Sequence, residues 1–96
     1  MTELKFTSLD EAGFTMLLSW FTDPELQRRF EYPTRIWFNH LCNEPNVHGW
    51  IILEEDRPVG RLQLDIHPHQ IGYIGYYVNP KLRHQGYGKR ILRSFL

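Results

Sequence analysis

Tyr76-Tyr77-Val78-Asn79-Pro80-Lys81-Leu82-Arg83-His84-Gln85-Gly86-Tyr87-Gly88-Lys89 is the stretch from which the fold can be read. Aromatic and β-branched residues end a strand here, and Asn79-Pro80 stops it. Gly86 and Gly88 then make a turn that opens a helix. The first N–H groups of a helix have no internal acceptor, and the helix dipole adds partial positive charge to them. Glycine lets an anion approach that backbone closely, and Arg83 and Lys89 add charge beside it, so the turn reads as a phosphate site. The same two glycines also suit a plain tight turn into a helix. Two other phosphate motifs fail: the dinucleotide fingerprint needs a third glycine where Ile91 stands, and in the nucleotide P-loop Gly-Lys is followed by Ser or Thr, not Arg90.

Upstream of this stretch, Val47 to Glu55 is strand-like, and a turn is expected at Asp56-Arg57-Pro58. From Val59 to His67 the pattern alternates, with Gly60, Leu62, Leu64 and Ile66 on a core face and Arg61, Gln63, Asp65 and His67 on a polar or cleft face. Pro68-His69-Gln70 reads as the next turn, and Ile71 to Val78 as a third consecutive strand. The N-terminal half reads as a short strand, Leu4 to Thr7, followed by helices. Ser8 and Glu11 have capping-box spacing, Asp23-Pro24 is a helix start, and Thr34 caps a helix whose Ile36, Trp37, His40 and Leu41 share a face. Downstream, Ile91, Leu92, Phe95 and Leu96 form the apolar stripe of the last helix. The order is that of an α+β (mixed α/β) domain, with helices packed on an antiparallel sheet.

Charge and composition narrow the function. Eleven basic residues balance eleven acidic ones over 96 residues. The last acidic residue is Asp65, whereas Lys81, Arg83, Lys89, Arg90 and Arg93 gather beyond Pro80. That local basic patch suits an anionic ligand better than nucleic acid. Cys42 is the one cysteine, which excludes an internal disulfide, and it reads as a small buried hydrophobe. With no signal-peptide pattern at Met1 to Lys5 and no apolar run of membrane-spanning length, a cytoplasmic protein that engages neither membrane nor nucleic acid is expected. His67 and His69 flank a proline turn without a third ligand, so no metal is expected.

Arg83-x-x-Gly86-x-Gly88, preceded by Ile74-Gly75-Tyr76-Tyr77-Val78-Asn79-Pro80, resembles the acyl-coenzyme A signature of the GNAT superfamily of N-acetyltransferases. Pro58-Val59-Gly60 resembles the opening of that family's third strand. The resemblance implies a GNAT-like acyl-CoA N-acyltransferase fold that stops after the fourth strand and the glycine-loop helix. Residues 1–96 would form one incomplete domain: 1–45 the first strand and acceptor-side helices, 46–79 the meander, and 80–96 the pyrophosphate loop and helix. It further implies that Tyr76, Tyr77 and Val78 meet the pantetheine arm, and that Arg83, His84, Gln85, Gly86, Tyr87, Gly88 and Lys89 surround the pyrophosphate.

By the same resemblance the chain transfers an acetyl group from acetyl-CoA to a primary amine by direct attack. Relatives often carry a glutamate where Tyr73 stands, so Asp65 and His67 are the remaining candidates for the base, although both also suit a solvated strand face. The family's usual tyrosine acid falls beyond Leu96, and no residue here takes that role. Glu25, Glu31 and Asp65 could attract a cationic amine. An unpaired fourth strand and the stripe of the last helix lead to the expectation of a homodimer. The competing reading is a non-catalytic acyl-CoA or anion-binding module acting through dimerisation. A nucleic-acid module using the basic helix is the third.

Overall fold

Alternating apolar residues in four segments build one antiparallel sheet in the order β1–β2–β3–β4, formed by Lys5–Ser8, Val47–Glu54, Arg57–His67 and Gln70–Val78. The computed structural model describes residues 3–67 and 70–96, and the side chains of 67 and 70–73 fall outside that description. The expected turn at Pro68-His69 and the pairing of His67 with His69 therefore lie outside the described residues.

Three helices precede β2, and each starts where a short polar side chain satisfies an orphan amide. In α1, Glu11–Trp20, the cap is Asp10, whose Oδ1 accepts the Gly13 amide at 2.8 Å; Ser8 closes β1 instead of opening a capping box. In α2, Pro24–Arg29, Asp23 accepts from the Leu26 amide at 3.0 Å with proline at the first position, as expected. In α3, Arg35–Asn43, Thr34 accepts from the Trp37 amide at 3.1 Å. The buried face of α3 is set by Phe38 and Leu41, with Trp37 packed against the same core. Phe38 stacks on Phe14 with centroids 4.8 Å apart. That choice of face leaves Ile36 82% exposed and turns Cys42 to the surface, so neither the expected Ile36–His40 face nor a buried Cys42 holds.

The β2–β3 hairpin turns on Glu55-Asp56, with φ of 50° and 63°, one step earlier than the expected Asp56-Arg57-Pro58. Two central residues of positive φ match the right-handed twist of the strands they join. Ile52 pairs with Gly60 but Leu53 with Pro58, so Val59 is an extra residue in β3. Proline has no N–H to give the ladder, and a bulge beside it accommodates that loss.

Strand alternation divides the core into two halves. Ile51, Tyr77, Leu17, Phe38 and their neighbours pack between the sheet and α1–α3. Ile52, Val59 and Leu62 face the other way, onto Tyr87 and Ile91 of the last helix, α4, Tyr87–Phe95. Ile91 is fully buried over Gly60, where a Cβ would come within 2.5 Å of the Ile91 Cδ1. The inward stripe of α4 is thus Tyr87 and Ile91 with Phe95 partly buried, and Leu96 points outward at 86% exposure. Among the described residues, no helix is long and apolar enough to cross a membrane.

Candidate functional site

The site begins where β4 ends. Asn79 donates its side-chain amide to the Pro58 carbonyl at 3.1 Å and its backbone N–H to the Val59 carbonyl at 2.8 Å, fastening the strand end to the β3 bulge. Its side-chain oxygen accepts the Lys81 amide at 3.1 Å and so starts a single 3-10 turn, Pro80–Leu82. His84 (φ 62°) and Gly86 (φ 84°) then take left-handed conformations that swing the chain into α4. Such a φ costs an L side chain about 1–2 kcal/mol, which explains glycine at position 86. No side chain caps α4. Its leading amides, Tyr87, Gly88 and Lys89, therefore lack both an intrahelical acceptor and a protein cap.

Two ionic clusters hold this turn from outside. Arg83 forks onto Asp23, with Nη1 on Oδ1 at 2.9 Å and Nη2 on Oδ2, and its Nη1 also lies 3.4 Å from Glu25 Oε2. The guanidinium draws the Asp23 carboxyl down from its usual 3.8 to about 2, against partial desolvation and with help from the Leu26 amide. Behind the helix, the Tyr87 hydroxyl donates to Glu54 Oε1 at 2.5 Å, and Arg90 Nη2 donates to Glu54 Oε2 at 2.6 Å. Arg57 Nη2 donates to the Tyr87 oxygen at 2.7 Å. The Tyr87 and Arg90 hydrogen bonds lower the carboxyl pKa of Glu54, a buried group. The expected five-charge patch is therefore thinner than its sequence suggests. Arg83 and Arg90 are engaged by carboxylates, whereas Lys81, Lys89 and Arg93 are exposed.

A groove of 340 Å³ runs between the strand end and the turn. One wall is Tyr76, Tyr77 and Val78, and the other is Leu82, Arg83, His84, Gly86, Tyr87 and Gly88, with Leu26 and Phe30 of the α2 segment across it. Eight of the residues expected from sequence thus meet in one cavity, while Gln85 and Lys89 are exposed outside its lining. The Tyr87 side chain is only 6% exposed and serves the Glu54 cluster, which leaves its backbone as the part suited to a ligand. At Gly88 an added Cβ would meet only Tyr76 at 3.8 Å and Val78 at 3.9 Å, ordinary contacts, so packing within the chain does not require glycine there.

A second cleft, 440 Å³, adjoins the groove and shares Arg29, Phe30 and Tyr77 with it. Its walls are Tyr32 and Trp37, and its floor is Arg61 and Gln63 from the polar face of β3. That face is covered rather than solvated: Arg61 is 7% exposed, with its guanidinium 4.5 Å from the Tyr77 ring centre and 5.7 Å from that of Trp37. Gln63 Oε1 accepts from Arg61 Nη1 at 2.8 Å and from the Trp37 indole at 3.2 Å, and Gln63 Nε2 donates to Asp65 at 3.0 Å. Asp65 is thus tied at the end of this ladder and lines neither cavity. The backbone of His67 ends β3, and its side chain lies outside the described residues. Tyr77 packs on Phe30 at 4.9 Å and edge-on to Trp20 and Phe21. Desolvation there pushes its phenol up to about 12.

Leu26, Phe30, Tyr32, Trp37 and Arg61 had no place in the expected site. The i, i+4 spacing of Leu26 and Phe30, and the alternation that puts Arg61 beside Gln63, were the signals that could have found them.

An antiparallel sheet with helices on both faces, and a glycine turn feeding helix amides into a groove at the end of its fourth strand, is the layout of an N-acyltransferase domain. The chain belongs to the GNAT acetyltransferase family, whose model matches residues 13–96. Solved structures agree on the fold. A spermidine N-acetyltransferase chimera from Vibrio cholerae and hSSAT superposes with a TM-score of 0.74 at 11% identity, covering 95% of this chain and 58% of that one. A ribosomal L7/L12 alpha-N-protein acetyltransferase in complex with coenzyme A gives 0.76 at 21% identity, covering 99% and 62%. The Salmonella typhimurium acetyltransferase that modifies the N-terminal serine of L7/L12 gives 0.73 at 17% identity, covering 99% and 62%. The chain therefore spans about three fifths of the length of these structures, 58–62%. A search of curated protein sequences finds no match.

Proposed function

We propose that this chain carries the acetyl-CoA groove of an N-acetyltransferase and that the acetyl group passes directly to a primary amine held in the adjoining cleft. One observation carries this reading: the strand end Tyr76–Val78 and the uncapped amides of α4 face each other across a single groove. The pyrophosphate lies on the backbone turn from His84 to Lys89, and the pantetheine arm follows Tyr76, Tyr77 and Val78. The open Cβ position at Gly88 supports this, because a ligand approaching the backbone is the reason left for glycine there.

In the transfer, the amine nitrogen attacks the thioester carbonyl carbon. The new C–N bond forms, the C–S bond breaks, the ammonium proton leaves and the thiolate takes one up. Phe30 and Tyr77 border both the groove and the cleft, so thioester and amine would meet where the two cavities adjoin, in a positioned reaction. Asp65 and His67 stay the candidates for moving the amine proton, with Asp65, which lines neither cavity, reaching the cleft only through Gln63 or solvent. The hydrogen bond from Gln63 already holds the Asp65 carboxylate at the far end of its ladder. A homodimer joined along the outer edge of β4 ahead of Tyr76, clear of the groove, is the assembly we propose, because an edge strand offers its backbone for pairing. Light scattering that finds only monomer across concentrations would remove it.

The test of the site is amide chemical-shift mapping with acetyl-CoA. The reading predicts that the largest changes fall on residues 84–89 and 76–78, and changes confined to other surfaces would exclude it.

A further inference from the structure

The two walls of the cofactor groove are held in different ways. Tyr76, Tyr77 and Val78 belong to the sheet, where β3 pairs with them at Leu62, Arg61 and Gly60. The turn that faces them lies outside the sheet and takes positive φ at His84 and Gly86. Side chains fasten it at its start, middle and end. Asn79 ties the start to Pro58, and Tyr87 and Arg90 tie the end to Glu54. Between them Arg83, the residue next to His84, reaches across to Asp23 at the start of α2. Asp23 is a firm anchor, since its Oδ2 also accepts the Leu26 amide at 3.0 Å and Leu26 is buried.

The charges around this contact bear on what Arg83 does. Both of its terminal nitrogens lie on Asp23, and Nη1 is 3.4 Å from Glu25 Oε2 as well. Arg29 stands 3.6 Å from Glu25. Two guanidinium groups and two carboxylates leave no net positive charge to draw in an anion. A phosphate that took the Arg83 fork would have to break its pair with Asp23. We propose that Asp23 is a positioning residue for the cofactor: acting through Arg83, it fixes the turn from His84 to Lys89 where its amides meet the pyrophosphate. The proposal rests on the acetyl-CoA reading of the groove. A turn fixed in advance loses little freedom when the ligand arrives, and the difference appears as affinity for the part of the ligand that the turn meets.

The test titrates wild type, Asp23→Asn, Asp23→Asn/Glu25→Gln and Arg83→Gln by calorimetry with acetyl-CoA and with acetyl-pantetheine at neutral pH. Asparagine still caps α2, so the helix start is kept while the ion pair is lost. Glu25→Gln is included because Glu25 stands close enough to take over the released guanidinium. Acetyl-CoA should bind each variant about fivefold or more weakly, while acetyl-pantetheine, which meets the strand wall, changes less than about twofold. Asp23→Asn/Arg83→Gln should bind no more weakly than the worse single variant, since both substitutions cut one contact. Electrostatics alone predicts the opposite sign for the carboxylate variants, because they remove negative charge beside an anion site. Unchanged or tighter acetyl-CoA binding in those variants, additive losses, or equal losses for both ligands would overturn the proposal. If wild type binds no acetyl-CoA, the acetyl-CoA reading falls, and the amide shifts of the unliganded chain decide on Asp23. Displaced shifts at residues 84–89 in Asp23→Asn would support its hold on the turn, and undisplaced ones would overturn it.

Discussion

Arg83 and Asp23 stand 60 residues apart in sequence and form a two-pronged ion pair, with Nη1 on Oδ1 at 2.9 Å. Arg83 opens the glycine signature and Asp23 caps α2, so this contact ties the anion turn to the helix that carries Leu26 and leads into Phe30. The arginine of the signature thus acts as a fastener between these two segments.

The pair sets an acid limit to stability. The carboxyl pKa of Asp23 falls from 3.8 to about 2 in the folded protein, so the stabilisation is complete above pH 4 or so and is lost as pH drops through 3.8 toward 2. Thermal melts of the wild type between pH 5 and 2 should fall more steeply than those of Asp23→Asn. Parallel curves would show that the pair contributes nothing measurable.

The two signature glycines should separate in mutagenesis. Gly86→Ala forces a Cβ into φ 84° and should cost about 1–2 kcal/mol in denaturant unfolding. Gly88→Ala meets only ordinary contacts at 3.8 Å and 3.9 Å, so its effect on stability should stay within about 0.5 kcal/mol. Gly88→Leu should fold yet bind acetyl-CoA at least about tenfold more weakly, because its side chain occupies the groove. Equal stability losses for Gly86→Ala and Gly88→Ala would contradict this division.

Gly60 and Ile91 should be coupled. Gly60→Ala drives a Cβ to 2.5 Å from Ile91 Cδ1 and 2.9 Å from the Tyr77 carbonyl, and overpacking of this kind costs about 1–3 kcal/mol. Adding Ile91→Val removes the closer atom and should recover part of the loss. A double-mutant cycle that comes out additive would place the strain elsewhere.

Tyr77 sets the alkaline counterpart. Its phenol is raised from 10.0 to about 12 by desolvation, partly offset by Arg61, so the folded state favours the neutral form. Stability from this group is fully present below pH 10 and is lost as pH rises from 10 toward 12. Ultraviolet titration should find a tyrosine that ionises late, and Tyr77→Phe should remove that step. An unchanged titration curve in the variant would refute the assignment.

What was legible in the sequence was local. Asp23-Pro24, Thr34, the alternation of β3 through Leu62 and the glycine turn are set by residues within a few positions of one another, and each appears where its chemistry puts it, whereas Ile66, expected on the core face of β3, is 44% exposed. The misread features depend on distant partners. Cys42 and Ile36 face outward because Phe38 finds Phe14 and because Leu41 sits over Gly49, where a Cβ would come within 2.8 Å of it. The ion pairs of Arg83 with Asp23 and Arg90 with Glu54 could not be inferred from spacing, so the basic patch seemed larger than it is. The cleft over Arg61 was missed for the same reason: Arg61 and Trp37 come together only once α3 packs against the sheet.

The most direct test of the central claim is a calorimetric titration of the purified chain with acetyl-CoA, repeated with acetyl-pantetheine, which lacks the pyrophosphate and nucleotide. The account predicts micromolar affinity for acetyl-CoA and at least about tenfold weaker binding of the truncated thioester, since the anion turn supplies the difference. A folded protein that binds neither, or both equally, would contradict it.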